Sequence, residues 1–238
     1  MKGRISSFQS MGAVDGPGLR CVVFMQGCPL RCAYCHNPET WALQGGQEVT
    51  VAALASKIER YRPYILKDGG VTISGGEPLF QHEFVAKLLQ TLKERGYHTA
   101  LDTSGIGTLQ GAEKILPYTD LAIVDLKFTS METFRTYCHG NLQQVYDFLD
   151  LTARLQTPLW IRQVIVPGLN DTREDITQLK RAASRYPNLE KLELLPFRRL
   201  CEHKYEELGI PFPLIDTPEC SPGHINALQE HLDQLVID

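Results

Sequence analysis

Apolar residues fall in short blocks along this chain, each followed by a polar, often glycine-bearing stretch and then by a helical stripe. The first block, Arg20-Cys21-Val22-Val23-Phe24-Met25, is apolar and β-branched enough to read as a buried strand. Further strand blocks are Val71-Thr72-Ile73-Ser74, His98-Thr99-Ala100-Leu101, Leu121-Ala122-Ile123-Val124, Leu159 to Val166, and Lys191 to Leu195. Helical patterns lie between them. Thr50 can cap a helix from Val51 to about Leu66, with Val51, Leu54, Ala55, Ile58 and Ile65 as its stripe. Pro63 is expected to kink or end that helix. Phe84, Val85, Leu88, Leu89 and Leu92 form the next stripe, with Gly96 as its stop. A short helix is expected over about 109–116, broken by Pro117, and helical patterns cover about 131–137 and 142–155. Thr172 and Asp175 make a capping box for a helix to about Tyr186. The last helix starts at Ser221-Pro222 and buries Ile225, Leu228, Leu232 and Leu235. Residues 1–18 are polar and glycine-rich, and read as a lead-in loop ending in the turn Asp15-Gly16-Pro17-Gly18.

Repeated strand–helix alternation predicts an α/β fold with a parallel sheet. Right-handed crossovers would put the helices on its faces. Periodicity alone leaves a flat doubly wound sheet and an incomplete barrel equally open. The 238 residues are expected to form one domain, with the N-terminal loop at 1–18 and a C-terminal extension over about 199–238. Nearly every polar cluster directly follows a strand. A cysteine-rich stretch follows the first, Ser74-Gly75-Gly76-Glu77-Pro78 the second, and Asp102-Thr103-Ser104-Gly105 the third. Asp125-Leu126-Lys127 follows the fourth, and Pro196 to His203 the sixth. In parallel α/β folds these strand ends share one mouth, so the motifs are expected to converge on one site.

The cysteine-rich stretch is Cys28-Pro29-Leu30-Arg31-Cys32-Ala33-Tyr34-Cys35, spaced C-x3-C-x2-C. Soft thiolates suit iron–sulfur clusters or zinc. A closed cubane takes four cysteines and a closed zinc site four ligands, so three close thiolates suggest a centre open at one position. A zinc site completed by His36 or a distant cysteine, or plain packing of buried thiols, are the other readings. The Gly75-Gly76 turn lets a ligand approach the backbone, although such turns are common. Asp102 and Asp125 leave apolar strands as helix caps, as ion-pair partners of Lys127, or as ligands; paired carboxylates suit a hard cation. Arg162 lies in an apolar strand and needs a partner, in a structural ion pair or in the site. His36 and His203 also read as ordinary loop histidines, and Cys21, Cys138, Cys201 and Cys220 as packing or surface thiols.

Composition narrows the classes. Apolar residues make up 43% and charged residues 22%, ordinary for a globular protein with a full core. The net charge of −4 argues against a general nucleic-acid field. No apolar run is long enough to span a membrane, and the N-terminus lacks the apolar core of a signal peptide. A cytoplasmic location is therefore expected, with no membrane partner. There the seven cysteines are metal-binding or structural thiols rather than disulfides.

C-x3-C-x2-C with Tyr34 before its last cysteine, followed some forty residues later by Gly75-Gly76-Glu77, resembles the signature of radical S-adenosylmethionine (SAM) enzymes. Val14 to Arg20, Gln26-Gly27-Cys28, Tyr34 to Pro38, Trp160-Ile161-Arg162, Val166-Pro167-Gly168 and Glu193 to Phe197 are similar to the glycyl radical enzyme activases within that family. The resemblance implies a partial (β/α)6 barrel with parallel strands. It also implies a [4Fe-4S] cluster on Cys28, Cys32 and Cys35, whose fourth iron takes the amino and carboxylate groups of SAM. One electron would cleave SAM to a 5′-deoxyadenosyl radical, which takes a hydrogen atom from a backbone glycine of a partner enzyme; pyruvate formate-lyase is the expected partner. The implied SAM contacts are Tyr34, His36, Gly75, Gly76, Glu77, Asp102, Thr103, Asp125, Leu126, Lys127 and His203. Among them the Gly-Gly-Glu carbonyls receive the ammonium, Lys127 reaches the carboxylate and His203 the adenosyl end. Asp102 and Asp125 would hold a monovalent cation beside that carboxylate. A flavodoxin or ferredoxin is the expected electron donor, and a monomer the expected state. Residues 36–50 hold no cysteine, so the ferredoxin insert of many sister activases is not expected. The resemblance is weakest over about 199–222, and Pro78-Leu79-Phe80 departs from the pattern. Two other functions remain: a small-molecule radical SAM enzyme such as a deazapurine synthase, and a non-enzymatic iron–sulfur or zinc protein that binds no SAM.

Overall fold

The structure is a computed structural model that describes residues 1–236; the end of the expected C-terminal extension, 237–238, lies outside the described residues. In chain order the elements are β1 (Lys2–Gly12), β2 (Arg20–Met25), β3 (Gln47–Thr50), α1 (Val51–Glu59), α2 (Arg62–Ile65), β4 (Gly70–Gly75) and α3 (His82–Glu94). Next come β5 (Thr99–Thr103), α4 (Leu109–Ile115), β6 (Leu121–Asp125), α5 (Met131–Cys138), α6 (Leu142–Arg154) and β7 (Leu159–Ile165). The chain continues with α7 (Arg173–Ala183), β8 (Leu189–Pro196), α8 (Glu202–Leu208) and α9 (Pro222–Gln234). One sheet runs β3-β1-β2-β4-β5-β6-β7-β8. From β2 through β8 its neighbours are parallel, whereas β1 is antiparallel to both β2 and β3. β3 and β8 are separate edges, so the six parallel strands form an open, partial barrel.

The lead-in loop expected over 1–18 is corrected by β1. An antiparallel strand with one wetter face alternates covered and exposed positions instead of forming an apolar block. Register shifts between Ile5 and Ser7 and between Gln9 and Gly12 blur that alternation further. The helix expected from Val51 to about Leu66 is divided: α1 ends at Glu59 and Pro63 falls in the first turn of α2. Thr50 caps α1 through Ala53 N, and the Thr172–Asp175 capping box forms as expected, although α7 stops at Ala183. Ile225 and Leu235, expected to be fully buried on the last helix, are only partly covered, while Leu228 and Leu232 are buried.

Period-two alternation gives the sheet two faces. Val71, Ile73, Leu101, Val124 and Ile161 pack in the main core, which also holds the helical stripes. The other, inner face carries Thr72 and Ser74, Ala100 and Asp102, Ile123 and Asp125, and Trp160 and Arg162 at adjoining register positions. Low on that face, Ala100, Leu121, Ile123 and Trp160 form a small apolar cluster. Higher up, toward the strand C-termini, the same face becomes charged. Among the described residues no helix is long and apolar enough to cross a membrane.

Candidate active site

The cysteine loop leaves β2 through Gly27, whose φ of +94° favours glycine. Backbone bonds then pin it on two sides. Gly76 N donates to Met25 O and Glu77 N to Gly27 O, both at 2.9 Å, joining the loop to the turn after β4. Arg31 N donates to Cys138 O at 3.1 Å and Ala33 N to Tyr137 O at 2.8 Å, joining it to the end of α5. A Cβ on Gly75 would lie 2.3 Å from Met25 N, and one on Gly76 2.4 Å from Gly27 O. Contact between the two loops therefore already demands both glycines.

Cys28 and Cys32 are buried, at 9% and 6% exposure, and Cys35 is half-buried. Burial, with Glu77 nearby, pushes the Cys28 thiol up to about 12; burial and Cys32 push Cys35 to about 11. Cys32 is raised by its neighbour Cys138 and by burial. Such thiols stay protonated unless a metal supplies the positive charge that stabilises thiolate. Among the described residues no three His, Cys, Asp or Glu side chains converge on a single-ion position. Three soft thiols on one loop have the donor chemistry of an iron–sulfur cluster. His36, the fourth ligand of the zinc reading, is exposed and donates from Nε2 to Arg198 O at 2.8 Å. Tyr34 Oη is buried, lies near the Cys138 sulfur outside hydrogen-bond geometry, and has no partner among the described residues. It is a polar atom left over at the site.

Glu77 is wholly buried and accepts four hydrogen bonds: Leu79 N (3.0 Å), Thr103 Oγ1 (2.5 Å), Ser104 N (2.9 Å) and Ser104 Oγ (2.5 Å). Burial raises its carboxyl and these donors oppose the rise. Thr103 Oγ1 also accepts from Gly105 N at 2.9 Å. Glu77 and Thr103 thus spend their side chains stapling the turn after β4 to the turn after β5. Leu126 likewise has a side chain inside the core, while its N donates to Arg162 O and its carbonyl accepts from Gln163 Nε2. All three side chains are thus engaged within the protein.

The charged top of the inner face forms one network. Ser74 Oγ donates to Asp102 Oδ2 at 2.7 Å, and Arg162 Nη2 to Asp102 Oδ1 at 2.7 Å. Arg162 also meets Asp125 Oδ1 through Nε (3.3 Å) and Nη2 (3.2 Å), and Lys127 Nζ meets Asp125 Oδ2 at 3.3 Å. Two acids and two bases balance, which is how buried charge is tolerated. Burial opposes ionisation of Asp125, yet Lys127 and Arg162 hold it below the usual carboxylate range. Burial raises Asp102, against the pull of Arg162. Lys127 is held well above the usual lysine value despite its burial, chiefly by Asp125, and its Nζ lies 5.8 Å from the Tyr34 ring centroid. The guanidinium of Arg162 spans Asp102 and Asp125, the two carboxylates expected beside a monovalent cation.

His203 is exposed on α8 and its imidazole makes no hydrogen bond among the described residues, whereas its neighbours Lys204 and Tyr205 reach the cysteine loop. Neither belongs to a sequence motif; the visible signal is Cys201 at the N-cap and Tyr205 four residues on, two apolar-bodied residues beside a short polar helix. Cys138 was read as a packing or surface thiol; it is buried, and it packs against the cysteine loop itself. Ser74 could have been found as a hydroxyl on an otherwise apolar strand.

Residues 14–146 match the family described as a 4Fe-4S single cluster domain. The chain is 43% identical over 235 residues to the pyruvate formate-lyase-activating enzyme of Clostridium pasteurianum, covering 98% of each chain. To that of Staphylococcus epidermidis it is 40% identical over 223 residues, 90% of this chain and 88% of the relative. A domain of pyruvate-formate lyase-activating enzyme from Bacteroides vulgatus superposes with a TM-score of 0.58 at 22% identity, over 69% of this chain and 93% of that one. A radical SAM methyltransferase from Sphaerobacter thermophilus does so at 0.65 and 16%, over 90% of this chain and 63% of that one. Those two likenesses show the shared fold. Near-full-length identity to curated relatives, on a chain whose buried cysteine loop sits at the strand ends of a partial barrel, shows that this protein belongs to the pyruvate formate-lyase-activating enzyme family.

Proposed function

We propose that this protein activates pyruvate formate-lyase, as a radical SAM enzyme with a [4Fe-4S] cluster on Cys28, Cys32 and Cys35. The observation that carries the reading is the buried three-thiol loop, bonded to the Gly75-Gly76-Glu77 turn and facing the Asp102–Arg162–Asp125–Lys127 network across one mouth. When bound, the cluster and SAM supply a one-electron cleavage that yields a 5′-deoxyadenosyl radical able to take a hydrogen atom from a glycine Cα. The chain's residues do the rest by position. Three thiolates leave one iron open. The Gly75-Gly76 turn, stiffened by Glu77, offers backbone carbonyls to the SAM ammonium. Lys127, its charge secured by Asp125, would meet the SAM carboxylate. Tyr34 closes the wall of the site beside Phe128, with ring centroids 6.0 Å apart. Low-dielectric walls strengthen these interactions and keep water from a reactive radical.

A flavodoxin or ferredoxin delivers the electron, the chain works as a monomer, and the partner's glycine-bearing loop enters the mouth by rearranging. The family's relatedness over the whole chain favours this protein substrate over a small molecule. Anaerobically reconstituted protein is expected to form 5′-deoxyadenosine from SAM under reduction. Cys32→Ala should abolish that product and lower bound iron. Undiminished product from Cys32→Ala would refute the three-thiol assignment.

A further inference from the structure

Helix α8 grips the cysteine loop. Lys204 Nζ donates to His36 O at 2.9 Å, Asn37 Oδ1 at 2.8 Å and Glu39 Oε1 at 2.7 Å. An ammonium has three donors, and all three are spent on the residues just after the motif. The next residue, Tyr205, donates from Oη to Cys35 O at 3.1 Å. Tyr205 is 1% exposed, packed edge-on against Trp41 at 5.9 Å and tilted against Phe212 at 4.9 Å between centroids, so the phenol is a fixed post. Consecutive residues of one helix therefore bind the consecutive carbonyls of Cys35 and His36. The helix has seven residues and no side-chain N-cap, too short to persist alone, so it is stable only in this embrace.

The three cysteines differ in how they are anchored. The Cys28 end is fastened by Gly76 and Glu77, and Cys32 by the flanking bonds to Tyr137 and Cys138. Cys35 is the most exposed of the three, and its end is tied at long range by α8, with the His36–Arg198 bond beside it. We propose that Lys204 and Tyr205 are positioning residues for the third thiol: they fix the Cys35 and His36 carbonyls, hold the cysteine loop in its binding shape and so govern how long the cluster is retained. The inference rests on the reading that Cys28, Cys32 and Cys35 hold such a cluster.

Tyr205→Phe removes one hydroxyl and Lys204→Met the ammonium, while Lys204→Arg keeps charge and donors. Each reconstituted protein would be assayed anaerobically for bound iron, for the rate of iron transfer to a ferrous chelator, and for the resonance line shape of the reduced cluster. Unfolding of the cluster-free chains would be followed in parallel. Tyr205→Phe and Lys204→Met are expected to load iron, to release it about tenfold faster, and to alter the line shape, with unfolding midpoints close to the parent's. Lys204→Arg should recover most of the retention. Parent-like release and line shape in both variants would overturn the clasp and leave the cysteine assignment standing. A parent chain that takes up no iron would sink the assignment and the clasp together.

Discussion

Arg162 stands in β7 between two carboxylates, 2.7 Å from Asp102 and 3.2 Å from Asp125. Its removal leaves two half-buried acids, Asp102 and Asp125, with Lys127 as the cation remaining in the network. Breaking a buried pair costs about 3–5 kcal/mol, so Arg162→Leu should lower the unfolding free energy by that order at neutral pH. The pH dependence has a definite sign. Asp125 is held below its unfolded value, so its contribution is present above the ordinary carboxylate range and fades as pH falls through its depressed folded value. In the variant, protonation relieves two facing carboxylates, so its deficit relative to the parent should shrink on acidification. Denaturant titrations across that range check this; a deficit that grows toward acid would contradict the ion-pair account. Arg162 was visible in the sequence as a charge in an apolar strand, but its partners were not. Only the register that sets Asp125 beside Arg162 reveals them.

At the scale of elements, β2, β4, β5, β6 and β7 were legible because both their faces are largely buried, which writes them as apolar blocks, and the edge strand β8 because it keeps Leu192, Leu194 and Leu195. β1, β3 and α8 were not. The first two are edge and near-edge antiparallel strands with wet positions, and α8 is held by contacts to residues some 165–170 positions away in the sequence. The glycines of the turn after β4 were found, but for an incomplete reason: ligand approach was anticipated, whereas the contact with Gly27 was invisible in one dimension. Gly76→Ala puts a methyl against Gly27 O and should separate the two loops. We expect a loss of about 1–3 kcal/mol in stability, together with lower iron content after reconstitution. Full iron loading at parental stability would show that the loops have slack that the packing does not suggest.

Across the whole molecule, one face of an open sheet turns from apolar to charged along its strands, and the charged end meets the cysteine loop, the Glu77 staple and α8. The convergence of the motifs after β2, β4, β5 and β6 was legible because strand C-termini share a mouth in any parallel α/β fold. The use of side chains within the protein was not, since it depends on partners distant in sequence: Glu77 and Thr103 bond to one another across two turns, and Leu126 packs in the core. The most direct test of the account is electron paramagnetic resonance of reduced, reconstituted protein incubated anaerobically with SAM and pyruvate formate-lyase. The account predicts a cluster signal that shifts on addition of SAM, followed by a glycyl radical on the partner that does not form with Cys32→Ala. A SAM-sensitive cluster with no radical on the partner, under conditions where SAM is cleaved, would contradict the assigned substrate.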